Sequence, residues 1–188
     1  MRAAGATLCG LAVLSIVLYW PGLSGGFAFD DLPFVVDNID VHVTTLKLDA
    51  WVRAAFSFPA GHQGRWLTML SFAANYYFTG LDPFWLKLTN LAIHLLNGLV
   101  LFLLLRALFD LRQAACRTAS SFSADRAPFV AAVVAGTWLL LPINVTAVLY
   151  VTQRLESLCT LFILCGLLVY LRARLRCYRH EGVVSQCG

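Results

Sequence analysis

No Asp, Glu, Lys or Arg occurs between Arg2 and Asp30, between Lys87 and Arg106, between Arg126 and Arg154, or between Glu156 and Arg172. A helix needs about 17 to 25 mostly apolar residues to cross the hydrocarbon core of a bilayer, and each of these runs can supply most or all of one. The composition agrees, because 60% hydrophobic against 13% charged residues is far from the balance of a soluble domain. We therefore expect an all-α integral membrane protein with about four transmembrane helices, the spans lying near residues 6–20, 86–105, 129–141 and 157–171. The last run, Ser157 to Leu171, is the shortest and needs its flanking Glu156 and Arg172 to snorkel. The stretch Trp66 to Leu81 is nearly as apolar, but Thr68, Ser71, Asn75 and Thr79 make it too polar for a span. It reads as an interfacial amphipathic helix, as does Leu46 to Phe58, and both belong to an outer loop over residues 21–84.

Basic residues set the orientation, since Lys and Arg favour the cytoplasmic side. With both termini cytoplasmic, the inner segments carry Arg2, Arg106, Arg112, Arg117, Arg126, Arg172, Arg174, Arg176 and Arg179. The outer ones carry Lys47, Arg53, Arg65, Lys87 and Arg154 among most of the acids. Tyr19-Trp20-Pro21 reads as an interfacial anchor closing a retained helix rather than a cleaved signal. The basic surplus is a topology signal, because no basic patch interleaved with aromatics appears, and a nucleic-acid partner is not expected. Of the six cysteines, none falls in an outer loop and none forms a CxxC pair, which removes the usual zinc and redox motifs. The spans and loops make one transmembrane domain over residues 1–174, followed by a basic tail at 175–188 that reads as truncated.

Four of the ten acidic residues, Asp30, Asp31, Asp37 and Asp40, crowd into eleven positions just past the first span. Adjacent carboxylates repel, and a cation or a proton between Asp30 and Asp31 relieves that repulsion, so the pair suits general-base work or metal binding; capping or simple solvation is the alternative. Asp37, Asn38 and Asp40 lack the glycine of a calcium loop and fit a cap or turn instead. Lys87, Asn90, His94 and Asn97 are spaced 3, 4 and 3 apart, which forms a polar stripe on an otherwise apolar helix. Such a stripe faces a bundle interior or a water-filled cavity, where it either serves a site or ties helices together. Arg65, Lys87 and Arg154 are the cations placed to meet a phosphate; the alternatives are a salt bridge for Arg65, snorkelling for Lys87 and pairing with Glu156 for Arg154.

Three segments carry a family resemblance: "GGFAFDDLPFVVDNID", "GRWLTMLSFAANYYFTGLDPFWLKLTNLAIHLLNGLVLFLL" and "WLLLPINVTAVLYVTQRLESLCTLFILCGLLVYLRAR". In order, they resemble the N-terminal membrane region of bacterial multi-span proteins that continue into tetratricopeptide repeats. They also resemble the eukaryotic transmembrane and tetratricopeptide-repeat O-mannosyltransferases, of the GT-C glycosyltransferase superfamily. The chain departs from that pattern at Leu141, where relatives carry His before the proline, and at Trp66, where they carry Pro after the arginine. The resemblance implies a sugar transferred from a polyprenyl-phosphate donor in the membrane lipid to a protein or glycan acceptor. It assigns Asp30 and Asp31 as catalytic residues that also hold a divalent metal, Mg or Mn, and it fits Arg65, Lys87 and Arg154 to the donor phosphate. It further implies a bacterial inner membrane with the acidic loop periplasmic. The alternative is a non-catalytic membrane scaffold or truncated remnant, in which the same residues only join helices; a transporter is less suited, since no inverted repeat is visible.

Overall fold

The computed structural model describes residues 2–59, 65–115 and 126–184, with side chains placed through 114 and 178 in the last two segments. All regular structure among them is helical. The helices are α1 (Arg2–Leu23), α2 (Leu48–Ala55), α3 (Trp66–Thr79), α4 (Pro83–Ala115), α5 (Ala127–Leu140), α6 (Val145–Leu149) and α7 (Arg154–Val184). Among the described residues α1, α4 and α7 qualify as membrane spans by length and hydropathy, and α5 with Pro142–Leu149, bent by 53°, is either a fourth, broken span or a re-entrant loop. The expectation of about four spans therefore holds.

The helices overrun the expected spans in physically sensible ways. α1 carries Pro21 in its final turn, close enough to the end at Leu23 for a lost hydrogen bond to be tolerated. α5 stops at Leu140 because Pro142 pushes Leu141 out of helical geometry, to ψ 128°. α7 starts at Arg154, so the fourth span does not depend on snorkelling for its length. It also continues through Arg172, Arg174 and Arg176 to Val184, so most of the stretch read as a tail is helical. Ala60, Gly61, Cys116, Arg117 and Cys187 lie outside the described residues.

The chain divides into two compact units, one of residues 1–15, 95–141 and 160–188, the other of residues 16–94 and 142–159. In the first, Ala131, Ala132 and Ala135 of α5 pack with Ala4 and Phe102. Gly136 leaves room for Leu11 of α1, and Gly98 of α4 leaves room for Leu139. Small residues let helix backbones approach closely where lipid supplies no hydrophobic drive. A second cluster joins Val100, Leu104 and Ala107 of α4 to Leu168 and Leu175 of α7.

The second unit holds the acidic segment and is knit by a core of Val35, Val41, Phe58, Met69, Phe72, Leu86 and Val151. The segment between α1 and α2 is far from structureless. A π-turn over Leu32–Val36 starts on the fixed φ of Pro33, and a single 3-10 turn follows at Ile39–Val41. Asn38 caps that turn by accepting from the Asp40 N–H, and its amide donates to Phe34 O and Ser57 O. The cap reading of this residue is thus the observed one. α2 buries Ala54 and Ala55, packs on α3, and keeps Leu48, Val52 and Phe56 outward.

Candidate functional site

The candidate site is the Asp30–Asp31 turn in the second unit. The Asp31 N–H donates to Ala28 O at 3.0 Å and the Leu32 N–H to Phe29 O at 3.1 Å, so the chain reverses tightly here. Phe29 sits at φ +47°, in the left-handed region where bulky side chains rarely stay. Because of this reversal the two neighbouring carboxylates part company. Asp31 is 1% exposed, whereas Asp30 faces outward.

Asp31 is fully engaged by the protein. Its Oδ1 accepts the Thr152 N–H at 2.9 Å and the Thr152 hydroxyl at 3.0 Å, while Oδ2 accepts the Ala28 N–H at 3.3 Å. One carboxylate thus ties the acidic turn to the segment between α6 and α7. Tyr150, two residues before Thr152, stacks on Phe29 with ring centroids 5.9 Å apart and planes 16° apart. Desolvation, and after it the charges of Asp31 and Asp30, raise the Tyr150 phenol above its ordinary pKa.

Lys87 does not snorkel. It is buried, and its Nζ donates to Gly25 O at 2.7 Å and Gly26 O at 2.9 Å. That close approach explains Gly25: a Cβ there would come within 3.2 Å of the ammonium and of Gly22 O. Lys87 thereby anchors the backbone that leads into the acidic turn. Neither does Arg154 pair with the exposed Glu156. Its guanidinium is 0% exposed and donates through Nε to Asn90 Oδ1 at 2.8 Å, through Nη1 to Ser71 Oγ at 3.1 Å and Asn75 Oδ1 at 2.8 Å, and through Nη2 to Leu86 O at 2.8 Å. The face of the Phe72 ring lies 4.6 Å away and offers its negative quadrupole. Four of the five N–H groups are used, so a phosphate has no access to Arg154 without dismantling this network. Arg154 organises the interior in this structure, and Lys87 is buried and hydrogen-bonded as well.

Arg65 is the one of the three cations left outward. It lies 4.3 Å over the Phe58 ring, and Phe58 stacks on Phe34 at 4.9 Å. The Phe34 N–H in turn donates to Asp30 O, so the stack leads back to the acidic turn. The polar stripe of α4 is buried at all four positions, Lys87, Asn90, His94 and Asn97, as the helical spacing implied. Asn90 also donates to Tyr150 O at 2.8 Å, and Tyr19 meets His94 edge-on at 5.8 Å. Among the described residues no group of three or more His, Cys, Asp or Glu side chains is placed to hold a metal. Asp30 and Asp31 remain as two carboxylates, of which Asp30 is open, and a magnesium ion that keeps its waters and a substrate phosphate asks no more of a protein.

Sequence reasoning did not find Phe29, Tyr150 or Thr152, which reach the site only through the fold. Ser71 and Asn75 were legible as polar positions four residues apart on α3, a stripe waiting for a partner.

The chain is similar over most of its length to proteins named protein O-mannosyl-transferase of the TMTC type. Mouse TMTC3 is 27% identical over 169 residues, covering 86% of this chain and 16% of the relative. Drosophila Tmtc3 is 30% identical over 177 residues, 88% of this chain and 19% of the relative. Human TMTC4 is 28% identical over 166 residues, 85% of this chain and 22% of the relative. The chain thus spans about a fifth of the length of these relatives. No family model matches it. No solved structure matches it either.

Proposed function

We propose that this chain forms the acidic-loop part of a membrane glycosyltransferase that moves a sugar from a polyprenyl-phosphate donor to a protein or glycan acceptor at the outer face of the membrane. The observation that carries the reading is the division of labour in the turn: Asp31 is held inside by Thr152 and Ala28, and so presents Asp30 outward beside an aromatic surface. The names of the relatives supply the reaction class.

In this mechanism the Asp30 carboxylate takes the proton of an acceptor hydroxyl. The acceptor oxygen forms a bond to the anomeric carbon, the bond from that carbon to the donor phosphate oxygen breaks, and the polyprenyl phosphate leaves with the electron pair. Arg65, the outward cation, is suited to meet that phosphate. Asp30 would hold a divalent metal, which when bound supplies charge neutralisation for the departing phosphate. Lys87, Asn90 and Arg154 keep the backbone around the turn in place. By the distribution of Lys and Arg along the sequence, the Arg-rich stretches of α4 and α7 belong on the cytoplasmic side and the acidic loop on the opposite one, which in a bacterial inner membrane is the periplasmic side.

The test is transfer of labelled mannose from a polyprenyl-phosphate donor by the protein reconstituted in liposomes. Removing a general base costs about 10²- to 10⁴-fold, so Asp30→Asn is expected to lose at least about a hundredfold in rate with its thermal stability intact. Unchanged transfer in both Asp30→Asn and Asp31→Asn sinks the enzymatic reading and leaves the scaffold.

A further inference from the structure

We infer that the outward face of Phe29, backed by Tyr150 and bordered by Asp30, is the platform on which a hexose is stacked. The inference rests on the transferase reading above and names the residue that recognises the sugar. Three independent observations converge on it. Phe29 is 79% exposed although it lies in the middle of a folded turn. Its backbone adopts φ +47°, a conformation that a phenylalanine holds only when the surroundings enforce it, and such positions gather at binding and catalytic sites. The Tyr150 ring lies nearly parallel to it at 16°, with centroids 5.9 Å apart, and leaves most of the Phe29 ring open.

An exposed aromatic ring next in the chain to an exposed carboxylate matches the two surfaces of a hexose. The axial C–H groups form an apolar patch that rests on a ring, and the hydroxyls at the rim donate to a carboxylate such as Asp30. A prenyl chain also packs on an aromatic ring, but it has no use for the adjoining carboxylate. Charge at its border therefore favours the sugar.

The experiment measures binding rather than turnover, using the whole chain in lipid nanodiscs. Three probes are compared: a mannosyl-phosphoryl polyprenol, the same polyprenyl phosphate without sugar, and methyl α-mannopyranoside. Phe29→Ala is expected to weaken the mannosylated lipid about fivefold to tenfold, the size of one lost ring stack, and to leave the bare lipid unchanged. Phe29→Gly serves as the second variant, because glycine accepts φ +47° without strain; it should bind as poorly as Phe29→Ala while its melting temperature does not fall. Methyl mannoside responding in parallel identifies the platform with sugar from either donor or glycan, and response of the lipid-linked sugar alone identifies it with the donor. Equal weakening of the mannosylated and bare lipids assigns Phe29 to the prenyl chain and overturns the inference. Full affinity for the mannosylated lipid in both variants overturns it while leaving the transferase reading standing. A wild-type protein with no preference for the mannosylated lipid overturns both.

Discussion

Asp31 and Arg154 show how buried charge is tolerated in this protein. Each is enclosed, and each is surrounded by oriented dipoles: Thr152 and the Ala28 N–H for the carboxylate, Asn90, Asn75, Ser71 and Leu86 O for the guanidinium. A buried polar group left without its partner carries the full desolvation penalty, whereas a satisfied one is close to neutral. Asp31→Ala strands the Thr152 N–H and hydroxyl, so it should lower stability by about 1–3 kcal/mol. A Thr152→Ala change added to it should cost little more, because the partner is already gone. Unfolding of the two variants in detergent checks this, and a stable Asp31→Ala protein would mean that Asp31 does not hold the turn. The contrast with Asp30→Asn, which is expected to remove transfer and spare stability, separates two adjacent aspartates that sequence alone leaves indistinguishable.

At the scale of elements, α3 and α4 bring their polar stripes to a common point. Ser71 and Asn75 of α3 and Asn90 of α4 all bond the Arg154 side chain, and Asn75 also donates to Thr89. α3 thus turns Ser71 and Asn75 toward Arg154 beside its buried Met69, Phe72 and Ala73, and leaves Trp66, Leu67 and Phe78 outward, where an ordinary surface helix in water carries polar residues. That arrangement suits a helix with lipid on its outer side, in keeping with the interfacial placement we propose for it. Elsewhere, α5 meets α1 through Gly136 and Leu11. Gly136→Leu should separate these helices and lower stability by about 1–3 kcal/mol, the usual range for overpacking a close interface. Gly166, whose added Cβ would meet nothing within 4 Å, is the control position. Gly→Leu gains helix propensity at both positions, so loss at Gly136 with none at Gly166 isolates the packing, and equal loss at both would show that the close approach of Leu11 to Gly136 is not its cause.

For the molecule as a whole, orientation in the bilayer is the property that links the acidic turn to the donor and acceptor we propose for it. Basic residues concentrated at the far end of α4 and along α7 predict cytoplasmic termini and an outward acidic loop. In a cysteine-free background, Lys47→Cys should react with a membrane-impermeant thiol reagent on intact cells, and Arg112→Cys only after permeabilisation. The reverse pattern would put Asp30 on the cytoplasmic side and remove the outer-face donor from the mechanism.

The place of the apolar helices and the buried position of the α4 stripe were readable from sequence, because burial and membrane crossing follow one-dimensional rules of run length and helical period. Which aspartate points outward was not, nor was the fate of the three cations. Those outcomes depend on a left-handed Phe29 that turns Asp31 inward, and on Thr152, Gly25 and Asn90, which stand 121, 62 and 64 residues from Asp31, Lys87 and Arg154 respectively. A hydrogen bond is decided by where the chain brings a donor and an acceptor together, and only the folded chain specifies that.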